Sequence, residues 1–309
     1  MYHQMEITNK KVQRIHMSEP KAEEIEELTN QLDMHEIMLN NLLDFNAEQK
    51  VERYKNNLLF VLNIPKHDEN SNKYIINQIH IILGKNYIIT MIKHKSGNLK
   101  GLFDYYQKKI KVGTKHTPVR FLHKILEVIY NNTIKALTNI DKEITAIQNN
   151  LVSKKHLNKK IFEDLMTQKL NLIFFKYKFQ PQKEILGESQ ILLEKFFGPD
   201  QQKIYINDLE SKLDKIIYTT ALLYENIESM SDTYNAIVNI EINKLITLLT
   251  IYTVILGTIN LVAGIYGMNL TLPFSENELA FFFIIGIMIA IGLSIRLLLK
   301  KRYTPTIYR

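Results

Sequence analysis

Two apolar segments near the C-terminal end constrain this chain more than any other feature. Leu245 to Tyr266 carries no charged residue, and Leu279 to Leu299 is interrupted only by Arg296. Each is long enough to cross a hydrocarbon core of about 30 Å. Arg296 sits near the end of its segment, where a long side chain reaches the headgroup layer. The intervening stretch, residues 267–278, is too short for a domain, so the two segments are expected to form a transmembrane hairpin. The loop has no Lys or Arg, whereas the far end carries Arg296, Lys300, Lys301, Arg302 and Arg309. The positive-inside rule then places both termini in the cytoplasm and the loop outside, in a multi-pass protein of the cell membrane.

The remainder is polar. The chain has 309 residues, a net charge of +7 and 46% apolar content. Its charge lies almost wholly outside the apolar block, so a large soluble part is expected to carry a small membrane part. There is no cysteine, which excludes disulfides, thiolate ligands and a cysteine nucleophile. Residues 1–15 have no apolar centre, and no cleavable signal peptide is expected.

Residues 1–112 read as a cytoplasmic α/β domain. Glu19 to Leu32 is a polar helix candidate, and Leu58 to Ile64 is an apolar run of strand length. Tyr74 to Leu83 and Tyr87 to Ile92 are β-branched runs joined by Gly84-Lys85-Asn86, a hairpin signal. Residues 113–198 read as helical. Thr117-Pro118 has the form of an N-cap followed by proline at the first helical position. Leu122, Leu126, Ile129, Thr133, Leu137, Ile140, Ile144, Ile147 and Leu151 then recur by threes and fours. A second helix is expected over Ile161 to Lys178, ending before Pro181.

After Pro199 the period is strictest. Ile206, Leu209, Leu213, Ile216, Thr220, Leu223, Ile227, Met230, Tyr234 and Ile237 form a heptad seam. Nothing breaks it, so residues 199–244 are expected to continue into the first span, 245–266, as one helix of about 100 Å. The second span is 279–299 and the basic tail 300–309.

The first span is not composed like an inert anchor. Asn243, Ile246, Thr250, Thr253, Gly257, Asn260, Gly264 and Gly267 step by three or four along one stripe. Small residues on a stripe suit helix–helix contact. A water-filled pore is the alternative, and an amide at membrane depth, Asn260, favours it. One hairpin cannot enclose a pore, so that reading requires several copies around an axis.

The end of the span carries Ala263-Gly264-Ile265-Tyr266-Gly267-Met268-Asn269. This resembles the CorA family of magnesium channels, whose hallmark is Gly-Met-Asn at the outer end of the first of two C-terminal spans. The resemblance implies an α+β membrane protein. Its N-terminal cytoplasmic α/β domain would be followed by long helices forming a funnel and by two transmembrane helices, in a homopentamer. It gives Gly267, Met268 and Asn269 the outer mouth of the pore, where neutral oxygens hold Mg²⁺ through its waters. Glu276 and Glu278 in the loop would concentrate cations, unless they are ordinary solvated acids. Asn243, Ile246, Leu249, Thr250, Thr253, Gly257, Asn260 and Gly264 fall at or near pore-facing positions, with Leu249 at a hydrophobic constriction.

The chain departs from the family in places. Gly257 and Asn260 stand where a Met and a Thr are found, and Leu270-Thr271-Leu272-Pro273 where Met-Pro-Glu-Leu is common. The family is closed by intracellular Mg²⁺ held between subunits by carboxylates, and the resemblance places Asp208, Asp68 and Asp232 at such positions. Each is otherwise a surface acid. The histidines show no zinc-ligand spacing. No GxxxxGK[ST] phosphate loop is present, and no enzymatic activity and no nucleic acid partner are expected. The resemblance implies a Mg²⁺ channel driven by membrane potential, with Co²⁺ or Ni²⁺ as further ions. A related Zn²⁺, Co²⁺ or Ni²⁺ transporter and a non-conducting membrane-anchored metal sensor remain alternatives.

Overall fold

The computed structural model describes residues 12–93, 117–153, 159–198, 202–268 and 280–303. The chain divides into two compact units, Met1–Ser231 and Asp232–Arg309.

The first unit is built on a five-stranded sheet. Its strands are β1 (Gln13–Ser18), β2 (Lys50–Tyr54), β3 (Asn57–Asp68), β4 (Lys73–Leu83) and β5 (Tyr87–Ile92). The order is β1-β5-β4-β3-β2; β1 lies parallel to β5 and the other pairs are antiparallel. The β4–β5 hairpin forms at the expected turn, where the Gly84 amide donates to the Tyr87 carbonyl at 3.0 Å.

Two short helices, α1 (Ala22–Gln31) and α2 (Glu36–Leu43), cover one face. Their Ile25, Leu28, Met38 and Leu42 join Ile15, Met17, Leu59, Val61, Ile82, Ile89 and Met91 in one core. The alternate residues Leu58, Phe60 and Leu62 are buried too, because the long helices α3 (Pro118–Ser153) and α4 (Lys159–Phe197) also contact the sheet. A sheet covered on both faces explains why β3 reads as an unbroken apolar run instead of an alternating one. Tyr74 of β4 meets Phe175 of α4 edge-on with ring centroids 5.0 Å apart.

One expectation fails. The second long helix does not stop before Pro181 but runs to Phe197 with Pro181 inside it. An interior proline removes a helical hydrogen bond and crowds the preceding turn, at roughly 3 kcal/mol. Two features offset that. Beyond the proline, Gln182, Ile185, Leu186, Ser189 and Leu193 are all buried. Around it, two glutamines supply side-chain bonds. Gln49 Nε2 donates to the Lys178 carbonyl at 3.0 Å, and Gln182 Nε2 donates to Gln49 Oε1 at 2.8 Å and to the Asn63 carbonyl at 2.9 Å.

Helix α5 is continuous over 65 residues, Gln202–Tyr266, or about 100 Å. The heptad seam is its buried face from Ile206 through Met230. Ion pairs flank the seam: Lys169 to Glu228 at 2.7 Å and Lys183 to Asp214 at 2.6 Å. Tyr234 and Ile237, at the end of the seam, are half-buried.

The second unit holds the end of α5 and helix α6 (Ala280–Tyr303). Among the described residues α5 is the helix long and apolar enough to cross a membrane, and α6 carries a shorter apolar stretch, Phe282–Leu297.

Candidate functional site: a polar stripe and its acidic outposts

The stripe foreseen in the sequence is a physical face of α5. Asn243, Ile246, Leu249, Thr250, Thr253, Gly257, Asn260 and Gly264 are all exposed. Thr247, Ile251, Ile255, Thr258 and Val262 are half-buried. At 3.6 residues per turn the two sets are centred about 140° apart. The half-buried face is the one turned to α6, since a Cβ built on Gly292 would lie 3.5 Å from Ile255 Cγ2. The polar stripe is therefore left uncovered by the chain's own second apolar helix.

The chemistry of the stripe suits a hydrated cation. Thr250 and Thr253 donate their hydroxyl protons to the carbonyls of Ile246 and Leu249, each at 2.8 Å. This back-bonding satisfies the proton without water and leaves the oxygen lone pairs as acceptors. A Cβ added at Gly257 or Gly264 would meet nothing within 4 Å. Glycine inside a helix costs about 1 kcal/mol relative to alanine, and no contact within the chain requires it here. What these glycines provide is open width along the stripe.

The helix ends at the signature. The Gly267 amide donates to the Ala263 carbonyl at 2.9 Å and the Met268 amide to the Ile265 carbonyl at 3.3 Å. A Cβ at Gly267 would lie 3.2 Å from the Ala263 carbonyl oxygen, a tight approach within the last turn. Met268 is exposed. Asn269, Glu276 and Glu278 lie outside the described residues.

The acidic positions are placed separately. Asp208, on α5, accepts from His123 Nε2 of α3 at 2.7 Å and from Lys212 Nζ at 2.5 and 2.6 Å. Partial burial works against its charge, but the bonds from Lys212 and His123 prevail and hold its carboxyl below the usual range. Asp68 ends β3 and accepts from Ser71 Oγ at 2.6 Å and the Asn70 amide at 3.2 Å. The Ser71 bond, with that amide, lowers its pKa as well. Its turn is anchored to the long helices. Asn72 Nδ2 donates to Glu143 Oε2 at 3.0 Å, Gln168 Nε2 donates to the same oxygen, and Asn171 Nδ2 donates to the Asn72 carbonyl at 3.2 Å.

Asp68 and Asp208 do not meet within the chain. Asp208 is tied to His123, whereas the Asp68 turn is tied to Glu143, twenty residues further along α3, or about 30 Å. Asp232 is exposed on α5. Among the described residues, no group of three or more His, Cys, Asp or Glu is gathered in a way that could hold a metal ion. The sequence reading missed the surroundings of Asp208. Lys212 stands at the i+4 spacing and was legible in principle; His123, 85 residues away in the chain, gave no signal.

Known proteins share this fold. A solved structure described as the complete structure of the CorA magnesium transporter from Methanocaldococcus jannaschii superposes with a TM-score of 0.77 at 21% identity, covering 95% of this chain and 92% of that one. The full-length CmaX protein superposes at 0.74 with 13% identity, covering 94% and 91%. Both show the shared fold. The cobalt/magnesium transport protein CorA of Thermotoga maritima is 24% identical over 244 residues, 76% of this chain and 66% of that one. Its namesake from M. jannaschii is 23% identical over 280 residues, 88% and 85%. The family model described as CorA-like Mg2+ transporter protein matches residues 9–301, and the chain belongs to that family.

Proposed function

We propose that this protein is a homopentameric channel of the cell membrane that admits Mg²⁺ down the membrane potential and is closed by intracellular Mg²⁺. The observation that carries this reading is the uncovered stripe of threonine, asparagine and glycine on α5, ending in Gly267-Met268. Copies arranged around an axis would turn that stripe inward, with Leu249 as an apolar constriction that gates by dewetting. Asn269 would complete an outer ring of neutral acceptors. Neutral oxygens suit Mg²⁺, which sheds its waters reluctantly and is held through them. Glu276 and Glu278 would raise the local cation concentration at the mouth.

In this reading residues 245–266 and 279–299 span the bilayer, residues 267–278 face outward, and both termini are cytoplasmic. Residues 1–112, 113–198 and 199–244 form the cytoplasmic funnel, and 300–309 its basic tail. A divalent ion moving through about 100 mV, inside negative, gains roughly 4.6 kcal/mol, so no further energy source is required. Asp208 and Asp68 are too far apart to share an ion within one protomer, so a regulatory cation would bridge Asp208 of one subunit to Asp68 of the next. Its loss leaves carboxylates repelling across the interface and loosens the assembly. Asp232 would add a second acidic position lower on α5.

A second reading on the same fold takes Co²⁺ as cargo, because two relatives are named cobalt/magnesium transport proteins. The test is flux into liposomes at an imposed inside-negative potential, with Mg²⁺ and Co²⁺ compared. Voltage-dependent Mg²⁺ entry that Asn269→Ala abolishes is expected. Entry that survives Asn269→Ala sinks the mouth assignment, and no entry of either ion by the wild-type chain sinks conduction itself.

A further inference from the structure

Asp208 is not a bare carboxylate awaiting a cation. Lys212, one turn further along α5, places its ammonium 2.5 Å from Oδ1 and 2.6 Å from Oδ2. Both carboxylate oxygens are thus bridged by a charge belonging to the same chain. The carboxylate is still reachable, with 42% of its side chain exposed against 21% for Lys212. A second acceptor stands on the far side of the ammonium: Glu127 Oε1 of α3 lies 3.8 Å from Lys212 Nζ. The other Glu127 oxygen, Oε2, is held by Lys124 at 2.6 Å.

We propose that Lys212 is a built-in competitor at Asp208, which sets the cation concentration at which the channel closes and retreats to Glu127 when a divalent ion binds. The proposal rests on the reading of Asp208 as a regulatory ligand and names the residue that tunes it. A divalent ion and the ammonium compete for the same two oxygens, and the two positive charges repel. Entry of the ion therefore breaks the Lys212–Asp208 contact. Glu127 makes that retreat easier, because it offers the displaced ammonium a carboxylate within a side-chain rotation.

The signs are opposite for the two flanking residues. Lys212→Gln removes the competitor and should lower the half-saturating Mg²⁺ concentration. Glu127→Gln removes the refuge and should raise it. A partly exposed ion pair of this kind sets the scale at about fivefold for Lys212→Gln. Lys212→Arg keeps the charge and should stay within about twofold of wild type.

The experiment uses the full chain in detergent and reads the Mg²⁺ concentration that half-protects it from chymotrypsin, a protease indifferent to lysine. Wild type, Lys212→Gln, Lys212→Arg, Glu127→Gln and Asp208→Asn are compared, each checked for unchanged thermal unfolding without Mg²⁺. A fall for Lys212→Gln, a rise for Glu127→Gln and lost protection for Asp208→Asn bear the proposal out. If Asp208→Asn loses protection but Lys212→Gln does not shift the midpoint, or Lys212→Arg shifts it equally, the competitor is refuted and the regulatory aspartate stands. An unmoved midpoint for Glu127→Gln refutes the refuge. An unmoved midpoint for Asp208→Asn refutes the regulatory reading itself, and the competitor with it.

Discussion

Gln49→Ala should destabilise the first unit far more than an ordinary half-buried surface substitution. Gln49 makes three bonds that no other residue replaces: its Nε2 to the Lys178 carbonyl at 3.0 Å, and its Oε1 from the Asn63 amide at 2.9 Å and from Gln182 Nε2 at 2.8 Å. Asn63 and Gln182 are buried, at 7% and 1% exposure, so the groups left behind lie largely out of reach of water. At about 1 kcal/mol per lost bond the sum is roughly 3 kcal/mol. A cavity of about 500 Å³ lined by Gln49, Asn63, Lys178 and Pro181 adjoins the site, and water entering it can rescue part of the loss. The expected cost is therefore about 2–3 kcal/mol. For a unit of this size that corresponds to a fall in Tm of roughly 5–10 °C, read by circular dichroism on the full chain in detergent. A Tm shift under about 1 °C for Gln49→Ala would show that the helix around the proline does not depend on this glutamine.

Other perturbations follow the same logic. His80 is fully buried and stacked on Phe45 at 4.7 Å, and burial lowers its pKa to about 4. Between that value and the ordinary histidine range the unfolded chain binds the proton and the folded chain does not. Stability should thus be intact at pH 7 and fall by about 2–3 kcal/mol as pH drops through that window; His80→Leu should flatten this acid limb, and an unchanged unfolding profile between pH 7 and pH 4 would contradict it. Leu213→Ala, at a fully buried seam position of α5, should cost about 2–5 kcal/mol, whereas exposed Tyr218→Ala should shift Tm little, and equal shifts would refute the seam. Gly257→Met fills space that no part of the chain contacts; it should leave Tm unchanged and cut Mg²⁺ flux at least about tenfold through the narrowed path, and undiminished flux would remove Gly257 from the pore.

What the sequence made legible depended on whether local pattern and tertiary demand agreed. The α5 seam was readable because every buried residue from Ile206 to Met230 repeats by threes and fours. Strands β4 and β5 were readable because their β-branched runs flank a glycine turn. Strand β1 was not: only Ile15 and Met17 of Gln13–Ser18 are buried, and its strand state comes from parallel pairing to β5. Strand β2 buries Val51 alone and is likewise defined by its partner. The proline rule failed at Pro181 because Gln49, just before β2, bonds the Lys178 carbonyl, and Gln182 bonds Gln49 and the Asn63 carbonyl of β3, a long-range fact with no local trace. At the candidate site the stripe was visible from spacing alone. Its exposure was not, since it depends on which side α6 takes. The ion pair of Asp208 with Lys212 is an i, i+4 relation that sequence contains, while its bond to His123 exists only in the fold.

The central claim is that the uncovered stripe of α5 lines the conduction path, and the absence of cysteine from the natural chain permits a direct test. Single cysteines placed from Asn243 to Gly267 would be treated with a membrane-impermeant thiol reagent while Mg²⁺ flux into liposomes is followed. Rapid modification and block are predicted at Thr250, Thr253, Gly257, Asn260 and Gly264, with protection at Ile251, Ile255 and Val262. Reactivity that lacks this period, or that falls on the Ile255 face instead, would contradict the account.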